Sequence, residues 1–259
     1  MEGFLETILM RALILSDIHA NLDALEAVLE AAPDHDTVWN LGDLVGYGAN
    51  PNEVIDRMKG LGEVSVRGNH DRACCGLESL LDFNPIAAFA ARWTRTTLTE
   101  EHIKWLSQLP EGPVLSNGSE VSCVHGSVLD EDQYVTTLRD AWQPLQQSLT
   151  RITFFGHTHL QGGFAANEEE WFKLTPRYHH HNEAEQYELP LRNNLRYLLN
   201  PGAVGQPRDH DWRAASAVFD SEKMTVTFCR VPYDVVTAQQ RILRAGLPDR
   251  LASRLREGR

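Results

Sequence analysis

The stretch Ser16-Asp17-Ile18-His19-Ala20-Asn21-Leu22 decides how this chain is interpreted, because it follows an apolar run over residues 12–15 that predicts a buried strand. An acid and an imidazole two residues apart at a strand end have two interpretations. Asp and Asn are common turn and helix-capping residues, and lone histidines are common in folded domains. The same pair also suits a ligand site, and the way the other strands end decides between the two.

Four further predicted strands also end in polar residues of metal-ligand type. In open α/β sheets, ligand sites lie outside the carboxyl ends of the strands, so residues far apart in sequence are expected to meet there. Coincidence is a poor explanation for five such strand ends, which favours a functional site. The further runs are residues 37–41, 63–66, 121–124 and 152–155, and the polar residues after them are Asp43, Asn69, His70, His125, His157 and His159.

Spacing and glycine positions fit the same interpretation. Asp17 and His19, like His157 and His159, are two residues apart, which in an extended segment points both side chains to one side. Glycines stand beside the polar residues where the chain must turn, and a side chain there would crowd the site. These glycines are Gly42, Gly68, Gly126 and Gly156.

The candidate ligands are carboxylates, imidazoles and an amide, without a thiolate. This set suits Mn²⁺, Fe or Zn²⁺ rather than Ca²⁺ or an iron–sulfur cluster. The candidates outnumber what one catalytic ion takes from protein, so two ions that share a carboxylate are predicted. Two such ions leave a local positive charge that can attract a phosphate to an acidic protein.

Composition limits the class of protein and of partner. The chain has 259 residues, 42% of them hydrophobic, and a formal net charge of −12 at pH 7. This charge disfavours extended nucleic acid and anionic membrane surfaces, and no run approaches the ~20 apolar residues of a transmembrane helix. The four cysteines have neither zinc nor disulfide spacing, which predicts reduced thiols and a cytoplasmic protein. A small phosphorylated substrate fits this balance, and a homo-oligomer stays open.

One α/β domain over residues 1–259 is the simplest organisation, because strand and helix patterns alternate and no linker interrupts them. Residues 1–9 are interpreted as a short N-terminal extension. Residues 83–108 are predicted to be helical and to cap the site, and residues 234–257 to form a C-terminal helical segment. Residues 166–194 are expected to be a solvated insertion between strands, with a metal site at His179-His180-His181 as the alternative.

Taken in order, the motifs resemble the signature of the calcineurin-like metallophosphoesterase superfamily. They are Asp17-x-His19, Gly42-Asp43, Gly68-Asn69-His70-Asp71, His125-Gly126 and Gly156-His157-x-His159. Residues 200–208 resemble a late motif of its small bacterial phosphodiesterase-like branch, although Ala203 stands where that motif often has Ser. The resemblance implies a four-layer α/β/β/α sandwich, in which two mixed β-sheets are flanked by helices.

The resemblance also implies residue roles. One ion would be held by Asp17, His19, Asp43 and His159, and the second by Asp43, Asn69, His125 and His157, with Asp43 bridging. Mn²⁺ is the expected metal, with Fe, Zn²⁺, Ni²⁺ and Co²⁺ as alternatives. The implied activity is hydrolysis of phosphodiester bonds, with phosphomonoesters or nucleotides as further options, through in-line attack by a hydroxide that bridges the two ions. His70 would not be a ligand; as imidazolium it would donate a proton to the leaving group.

One departure from the superfamily bears on the substrate. Its protein phosphatases and symmetrical diadenosine tetraphosphatases carry Asp-Arg-Gly where this chain has Gly46-Tyr47-Gly48. An acid beside the catalytic histidine and a phosphate-binding arginine are therefore missing, which disfavours the alternative activities, phosphoprotein or dinucleotide polyphosphate phosphatase. Arg67 and Arg208, together with Asn69 and His70, are the candidate substrate contacts. A non-catalytic interaction scaffold of the same fold is the alternative from another class, and the retained His70 argues against it.

Overall fold

Two six-stranded mixed β-sheets packed face to face form the centre of the molecule in a computed structural model, with helices on both outer faces. This is the four-layer α/β/β/α sandwich expected from the sequence. The structure describes residues 9–116 and 120–259, so the expected N-terminal extension lies outside the described residues except for Leu9. No helix within these described ranges is long and apolar enough to cross a membrane.

The first sheet places strands from the beginning and the end of the chain side by side. Its members are β1 (Arg11–Leu15), β2 (Thr37–Asn40), β3 (Gly62–Ser65), β9 (Glu185–Pro190), β11 (Ala214–Asp220) and β12 (Thr225–Val231). The strand order is β3-β2-β1-β11-β12-β9. Strands β1, β2 and β3 are parallel neighbours, whereas β11 pairs antiparallel with β1. The parallel strands therefore all end at one edge of the sheet.

The second sheet repeats this mixture of parallel and antiparallel pairs. Its members are β4 (Val114–Ser116), β5 (Val121–Cys123), β6 (Ile152–Phe154), β7 (Gly162–Ala166), β8 (Trp171–Leu174) and β10 (Arg196–Asn200). The strand order is β4-β5-β6-β10-β7-β8. Strands β5, β6 and β10 are parallel, so their carboxyl ends also share one edge.

Among the residues that the structure describes, seven helices share a core with the first sheet, and one helix packs on the second. The seven include two helices within residues 83–108 and two within 234–257. They are α1 (Leu22–Ala31), α2 (Pro51–Lys59), α3 (Asn69–Cys75), α4 (Pro85–Thr97), α5 (Glu100–Leu106), α7 (Val235–Arg244) and α8 (Asp249–Glu257). On the second sheet, α6 (Leu138–Gln147) contributes Ala141 and Leu145. Asn21 is the N-cap of α1, because its side chain accepts a hydrogen bond from the N–H of Ala24.

Large side chains fill the space between the two sheets. Trp39 of β2 lies against Phe154 of β6 and Phe219 of β11, with ring centroids 6.2 and 6.3 Å apart. Strands β1 and β2 are buried on both faces, against helices on one side and the second sheet on the other. This double burial explains why the sequence of β1 is a continuous apolar run.

Residues 166–194 are not the irregular insertion expected from the sequence. They contain β8 and β9, which form the outer edge strands of the second and first sheets. Half-buried and exposed residues alternate along both strands, because only one face of each strand packs against the molecule. Short edge strands that carry charged residues have a weak hydrophobic pattern, which is why sequence reasoning missed them.

Arg213 connects β9 to the loop that precedes β11 through hydrogen bonds of its side chain. Its side chain is fully buried, and its Nε and Nη2 donate to the carboxylate of Asp211 at 3.0 and 2.6 Å. Its Nη1 donates to Oε2 of Glu185 at 3.2 Å and to the carbonyl oxygen of Glu183 at 2.7 Å. Since a buried charge is tolerated only when it is paired, this arginine is expected to hold the edge strand in place.

Replacing Arg213 with Met is expected to lower the free energy of unfolding by about 3 kcal/mol, because the carboxylates of Asp211 and Glu185 lose their shared partner. The control is Arg192→Met, since Arg192 is 50% exposed in its pair with Glu170 and such pairs contribute less than ~1 kcal/mol. Urea unfolding followed by circular dichroism measures both variants. Equal losses would contradict the role given to Arg213.

Candidate metal centre

The loops that follow β1, β2, β3, β5 and β6 bring the predicted ligands together. Main-chain hydrogen bonds join these loops to one another: the N–H of Asp17 donates to Gly42, and the N–H of His19 donates to Asp43, at 3.0 and 2.9 Å. The acidic and imidazole side chains are at most 4% exposed; they are Asp17, His19, Asp43, His125, His157 and His159. Residues from four separate parts of the chain therefore meet in one buried cluster.

Within this cluster, two groups of side chains could each hold a metal ion. The first contains Asp17, His19, Asp43 and His159, and the second contains Asp43, His125 and His157. In each group the ligand atoms lie within 4.8 Å of one another. Asp43 belongs to both groups. This division is the one that the resemblance implied, apart from Asn69, which contributes an amide rather than an acid or imidazole.

The backbone around the candidate ligands differs from the extended segments expected from their spacing. Five of these residues have positive φ, in the left-handed region that favours glycine; they are Asp17 (53°), His19 (47°), Asp43 (56°), His157 (64°) and His159 (59°). The side chains therefore converge through left-handed turns and not through strand alternation. Such conformations cost about 1 to 2 kcal/mol per residue and are concentrated at functional sites.

Each of the four histidines uses one ring nitrogen to donate to a main-chain carbonyl oxygen. A carbonyl oxygen only accepts, so the nitrogen facing it carries the hydrogen and the other nitrogen of a neutral ring keeps a lone pair. This second ring nitrogen faces the site in every case. The hydrogen bonds run from Nδ1 of His19 to Val45 (3.1 Å), Nδ1 of His125 to Leu41 (2.7 Å), Nδ1 of His159 to Gln206 (2.5 Å) and Nε2 of His157 to Asp132 (3.1 Å).

These lone pairs approach one another closely. Nε2 of His19 lies 3.1 Å from Nε2 of His159, and Nε2 of His125 lies 3.1 Å from Nδ1 of His157. Nε2 of His159 is also 3.2 Å from Oδ1 of Asp17. Two ligand atoms that are each ~2.1 Å from one ion lie roughly 3.0 to 3.5 Å apart at octahedral or tetrahedral angles. The donor set therefore fits divalent cations.

The charges within the cluster also favour bound cations. Burial opposes ionisation of Asp17 and Asp43, yet neighbouring imidazoles hold the pKa of both carboxyls below the usual range. Burial would lower the pKa of His125, but the carboxylates of Asp43 and Asp17 raise it to about 10. Burial lowers the pKa of His157 to about 3, so this ring is neutral near pH 7. The two buried carboxylates thus require positive charge beside them.

Two oxygen atoms of the cluster have no hydrogen-bond partner among the described residues. Oδ1 of Asp17 is one, whereas its Oδ2 accepts from the hydroxyl of Ser16 at 2.7 Å and from the N–H of His157 at 3.1 Å. Oδ1 of Asn69 is the other. Both oxygens are buried, and a cation would satisfy them.

His70, the predicted proton donor, lies beside the cluster at the start of α3. Its main-chain N–H donates to Oδ1 of Asp43 at 2.8 Å, and its ring packs 4.3 Å from Tyr47 and 5.3 Å from Phe83. Its Nδ1 is buried without a partner, because Gly46 lies against it: a Cβ there would be 2.7 Å from this atom. Because the chain lacks the Asp-Arg-Gly motif, no carboxylate among the described residues accepts a hydrogen bond from Nδ1 of His70.

The ionisation state of His70 differs from the imidazolium that the resemblance implied. Burial lowers its pKa to about 4, so the ring is neutral near pH 7 in this structure. Asp71 does not change this balance by hydrogen bonding to the ring, because its carboxylate accepts from the N–H groups of Val45 and Gly68 at 3.2 and 3.0 Å. It caps α3 instead.

The two arginines predicted to contact substrate differ in their partners. Arg67 donates to both carboxylate oxygens of Glu131 at 2.9 Å and to Glu111 at 3.1 Å, so the structure does not support a substrate role for it. Arg208 has no such partner. Its Nη2 donates to Oε1 of Gln206 at 3.0 Å, and its Nε is buried without a partner among the described residues.

Sequence reasoning missed three residues that shape the cluster. Tyr134 lies 4.0 Å from the ring of His157 and is 53% exposed, which makes it a wall of the entrance. Asn200 donates to the carbonyl oxygen of Gly156 at 2.8 Å and so holds the loop that carries two histidines. Gln206 supplies the carbonyl oxygen that orients His159. Asn200 and Gln206 had a sequence signal, the late motif over residues 200–208, whereas Tyr134 had none.

A two-sheet sandwich with paired carboxylate and imidazole groups at its strand ends is typical of metal-dependent phosphoesterases. A family model described as the calcineurin-like phosphoesterase superfamily domain matches residues 10–224, and the chain belongs to this superfamily. The matched range includes every candidate ligand and stops before α7. The family expectation drawn from the motifs is therefore confirmed.

Proteins that are similar to this chain support the family assignment. A metallophosphoesterase from Sphaerobacter thermophilus has a solved structure that is 41% identical, with a TM-score of 0.82, over 97% of this chain and 100% of that one. The uncharacterized protein MJ0912 of Methanocaldococcus jannaschii is 35% identical over 95% of this chain and 97% of its own length. A symmetrical bis(5'-nucleosyl)-tetraphosphatase of Salmonella paratyphi B is 36% identical, but over only 39% of this chain and 38% of that enzyme.

Replacing Gly68 with Ala is expected to reduce the metal bound per chain by at least half. A Cβ at this position would lie 2.0 Å from Oδ1 of Asp43 and 2.4 Å from its main-chain nitrogen, so the residue shared by both groups must move. Gly60→Ala is the matched control, because no atom lies within 4 Å of a Cβ there. Elemental analysis after dialysis against Mn²⁺ measures the difference, and full metal content in the Gly68 variant would contradict the role of the close approach.

Proposed function

We propose that the chain is a phosphoesterase with a dinuclear metal centre that hydrolyses phosphodiester bonds. The observation that carries this proposal is the pair of close contacts between ring nitrogens, His19 with His159 and His125 with His157. Each contact offers a place for one cation, and Asp43 lies beside both. The proposed ligands are Asp17, His19, Asp43 and His159 for one ion, and Asp43, Asn69, His125 and His157 for the other.

Two divalent ions held in these places would lower the pKa of a water between them and offset charge on the phosphoryl oxygens. The chain's own groups supply position. Main-chain carbonyls fix the ring of each histidine, and the loops are joined by hydrogen bonds, so the ligands are held before substrate arrives. This preorganisation is what electrostatic stabilisation of a transition state requires.

His70 is proposed to donate a hydrogen bond or a proton to the leaving oxygen. Its ring is fixed between Tyr47 and Phe83, and its main-chain N–H ties it to Asp43. In the free protein the ring is neutral, so it can donate a hydrogen bond as it stands. Proton transfer needs the protonated ring, which the negative charge of a bound phosphate ester favours.

Arg208 is proposed as a contact to the phosphoryl group. Its charge helps to lower the pKa of both His70 and His159, which indicates that it lies near these two rings. Its Nε lacks a partner among the described residues, and no carboxylate neutralises it there. An anionic substrate would supply the missing acceptor.

An enzyme fits these observations better than a non-catalytic interaction scaffold does. A scaffold has no use for a histidine buried beside the metal groups with an unpartnered ring nitrogen. A dinucleotide polyphosphate is the second candidate substrate, because a Salmonella relative is named as a bis(5'-nucleosyl)-tetraphosphatase. Against it stands Gly46-Tyr47-Gly48, which supplies neither an acid for His70 nor an arginine for phosphate.

Other features of the proposal rest on general chemistry. Mn²⁺ is the preferred ion for this set of oxygen and imidazole ligands, with Fe, Zn²⁺, Ni²⁺ and Co²⁺ as alternatives. The four free cysteines fit a reducing, cytoplasmic environment. Helices α4 and α5 are proposed to border the entrance, since Phe83, just before α4, packs on His70.

Removal of metal with EDTA is expected to abolish hydrolysis of bis(p-nitrophenyl) phosphate, and Mn²⁺ to restore it. The diester is expected to give a higher kcat/KM than p-nitrophenyl phosphate, which is a monoester. Release of p-nitrophenol measures both reactions. Faster hydrolysis of the monoester would refute the diester preference, and a folded, metal-loaded protein that cleaves neither ester would refute the phosphoesterase.

Replacing His70 with Ala is expected to lower kcat for an ester with an alkyl leaving group by ~10²- to 10⁴-fold, the range of general acid catalysis. Metal content is expected to stay unchanged, because His70 belongs to neither metal group. His180→Ala serves as the control, since His180 is exposed in the chain between β8 and β9. Loss of metal together with activity would show that His70 acts on the centre rather than on the leaving group.

A further inference from the structure

A second arginine, outside the part of the chain matched by the family, stands close to the candidate metal centre. Arg254 lies on α8, and its guanidinium carbon is 6.0 Å from the centroid of the Tyr47 ring. The guanidinium carbon of Arg208 is 5.9 Å from the same centroid. The Tyr47 ring in turn lies 4.7 Å from that of His19 and 4.3 Å from that of His70. Two cationic groups therefore share one aromatic ring at the border of the centre.

The two arginines are short of negative partners. Among the residues that the structure describes, no carboxylate side chain pairs with Arg208 or Arg254, whereas the buried arginines Arg72, Arg213 and Arg230 all have such partners. Nε of Arg254 donates to a main-chain oxygen of Arg259, and the carboxylate of Glu257 acts on Arg254 from the same helix. Burial and the charge of Arg208 nevertheless lower the pKa of Arg254 to about 10. Two neighbouring guanidinium groups that pair with no carboxylate side chain favour an anion between them.

The positions of the two arginines relative to the centre are unequal. The main-chain N–H of Arg208 donates to the carbonyl oxygen of His159, a proposed ligand, at 3.2 Å. Arg254 approaches the centre through the Tyr47 ring, 6.0 Å from its guanidinium carbon. An anionic group between the two arginines would therefore lie next to the reacting phosphoryl group without touching the ions.

We propose that Arg254 and Arg208, whose guanidinium groups both lie near the Tyr47 ring, form a subsite for a second phosphate group of the substrate. The subsite rests on the proposed function, because it assumes that a first phosphoryl group occupies the metal centre. It assigns a substrate class: compounds in which a second phosphate is joined to the one that reacts, as an anhydride or through a short linker. Planar guanidinium groups suit such a group, because they bind phosphate oxygens in a bidentate manner.

Binding of two stable anions tests the subsite without turnover. Methylphosphonate offers one phosphonate group, and methylenediphosphonate offers two that cannot be hydrolysed. Calorimetry of the Mn²⁺-loaded protein is expected to show at least tenfold tighter binding of methylenediphosphonate. In Arg254→Gln this preference is expected to fall roughly tenfold, which corresponds to about 1.4 kcal/mol, while the affinity for methylphosphonate changes less than twofold.

Matched variants isolate the effect of Arg254. Arg256→Gln, an exposed position on the same helix, is expected to keep the wild-type preference, and Arg254→Lys to keep part of it. Chelation of Mn²⁺ by the diphosphonate is the same in all variants, so the change in preference reports the side chain; metal content and circular dichroism confirm folding. An unchanged preference in Arg254→Gln, or an equal loss in Arg256→Gln, would overturn the subsite.

The proposed function is judged separately. Bis(p-nitrophenyl) phosphate carries a single phosphate, so its hydrolysis does not depend on a second-phosphate subsite. Wild-type protein that cleaves this diester but binds both anions equally would retain the proposed function and lose the subsite. Titration with inorganic phosphate alone tests whether the subsite binds the free ion instead. If wild-type protein bound inorganic phosphate as tightly as methylenediphosphonate, the second group would not need to be joined to the first. That result would also overturn the proposal.

Discussion

A hydrogen bond from one ring nitrogen to a main-chain carbonyl oxygen controls each of the four histidines in the centre. It sets the orientation of the ring and the tautomer together, so that the remaining nitrogen presents a lone pair to the cluster. The result is a pair of contacts in which ring nitrogens that face the cluster lie 3.1 Å apart. This arrangement suits cations, so the carbonyls outside the cluster determine which ring atoms are available inside it.

The left-handed turns are the second cost of the centre. Five ligand residues, none of them glycine, adopt positive φ. The surrounding structure holds them there: the N–H groups of Asp17, His19 and Ala20 donate to the loop after β2, and the N–H of Gly205 donates to Asp17. Strain is thus distributed over several loops that support one another. The ligands are placed by the framework and not by the local preferences of their own backbone.

Much of the fold and of the centre could be predicted from the sequence because both depend on local patterns. Continuous apolar runs mark parallel strands buried on both faces, and the polar residues that follow them mark the ligand-bearing edge. The edge strands β8 and β9 could not be found in this way, since their half-exposed, charged sequences resemble a loop. Nor could sequence spacing reveal that Asp17 and His19 converge through left-handed turns.

Tertiary contacts account for the remaining differences. Arg67 is of a residue type that often contacts phosphate, but Glu131, which is far away in sequence, neutralises its charge. Tyr134 and Arg254 have no motif around them, and only the packing of distant segments places them at the border of the centre. Predicting such residues requires knowledge of which side chains face one another across the fold, and a single sequence does not contain that knowledge in readable form.

The antiparallel pairing of β11 with β1 has a consequence for the order of folding. The segment just before β11 supplies partners for the first ligand loop: the N–H groups of Val204 and Gly205 donate to Ser16 and Asp17, and Ala203 accepts from Ala215 of β11. These contacts join residues separated by most of the chain, and contacts of such long range form slowly. The loop that carries Asp17 and His19 is therefore expected to reach its final conformation late, when the sheet closes.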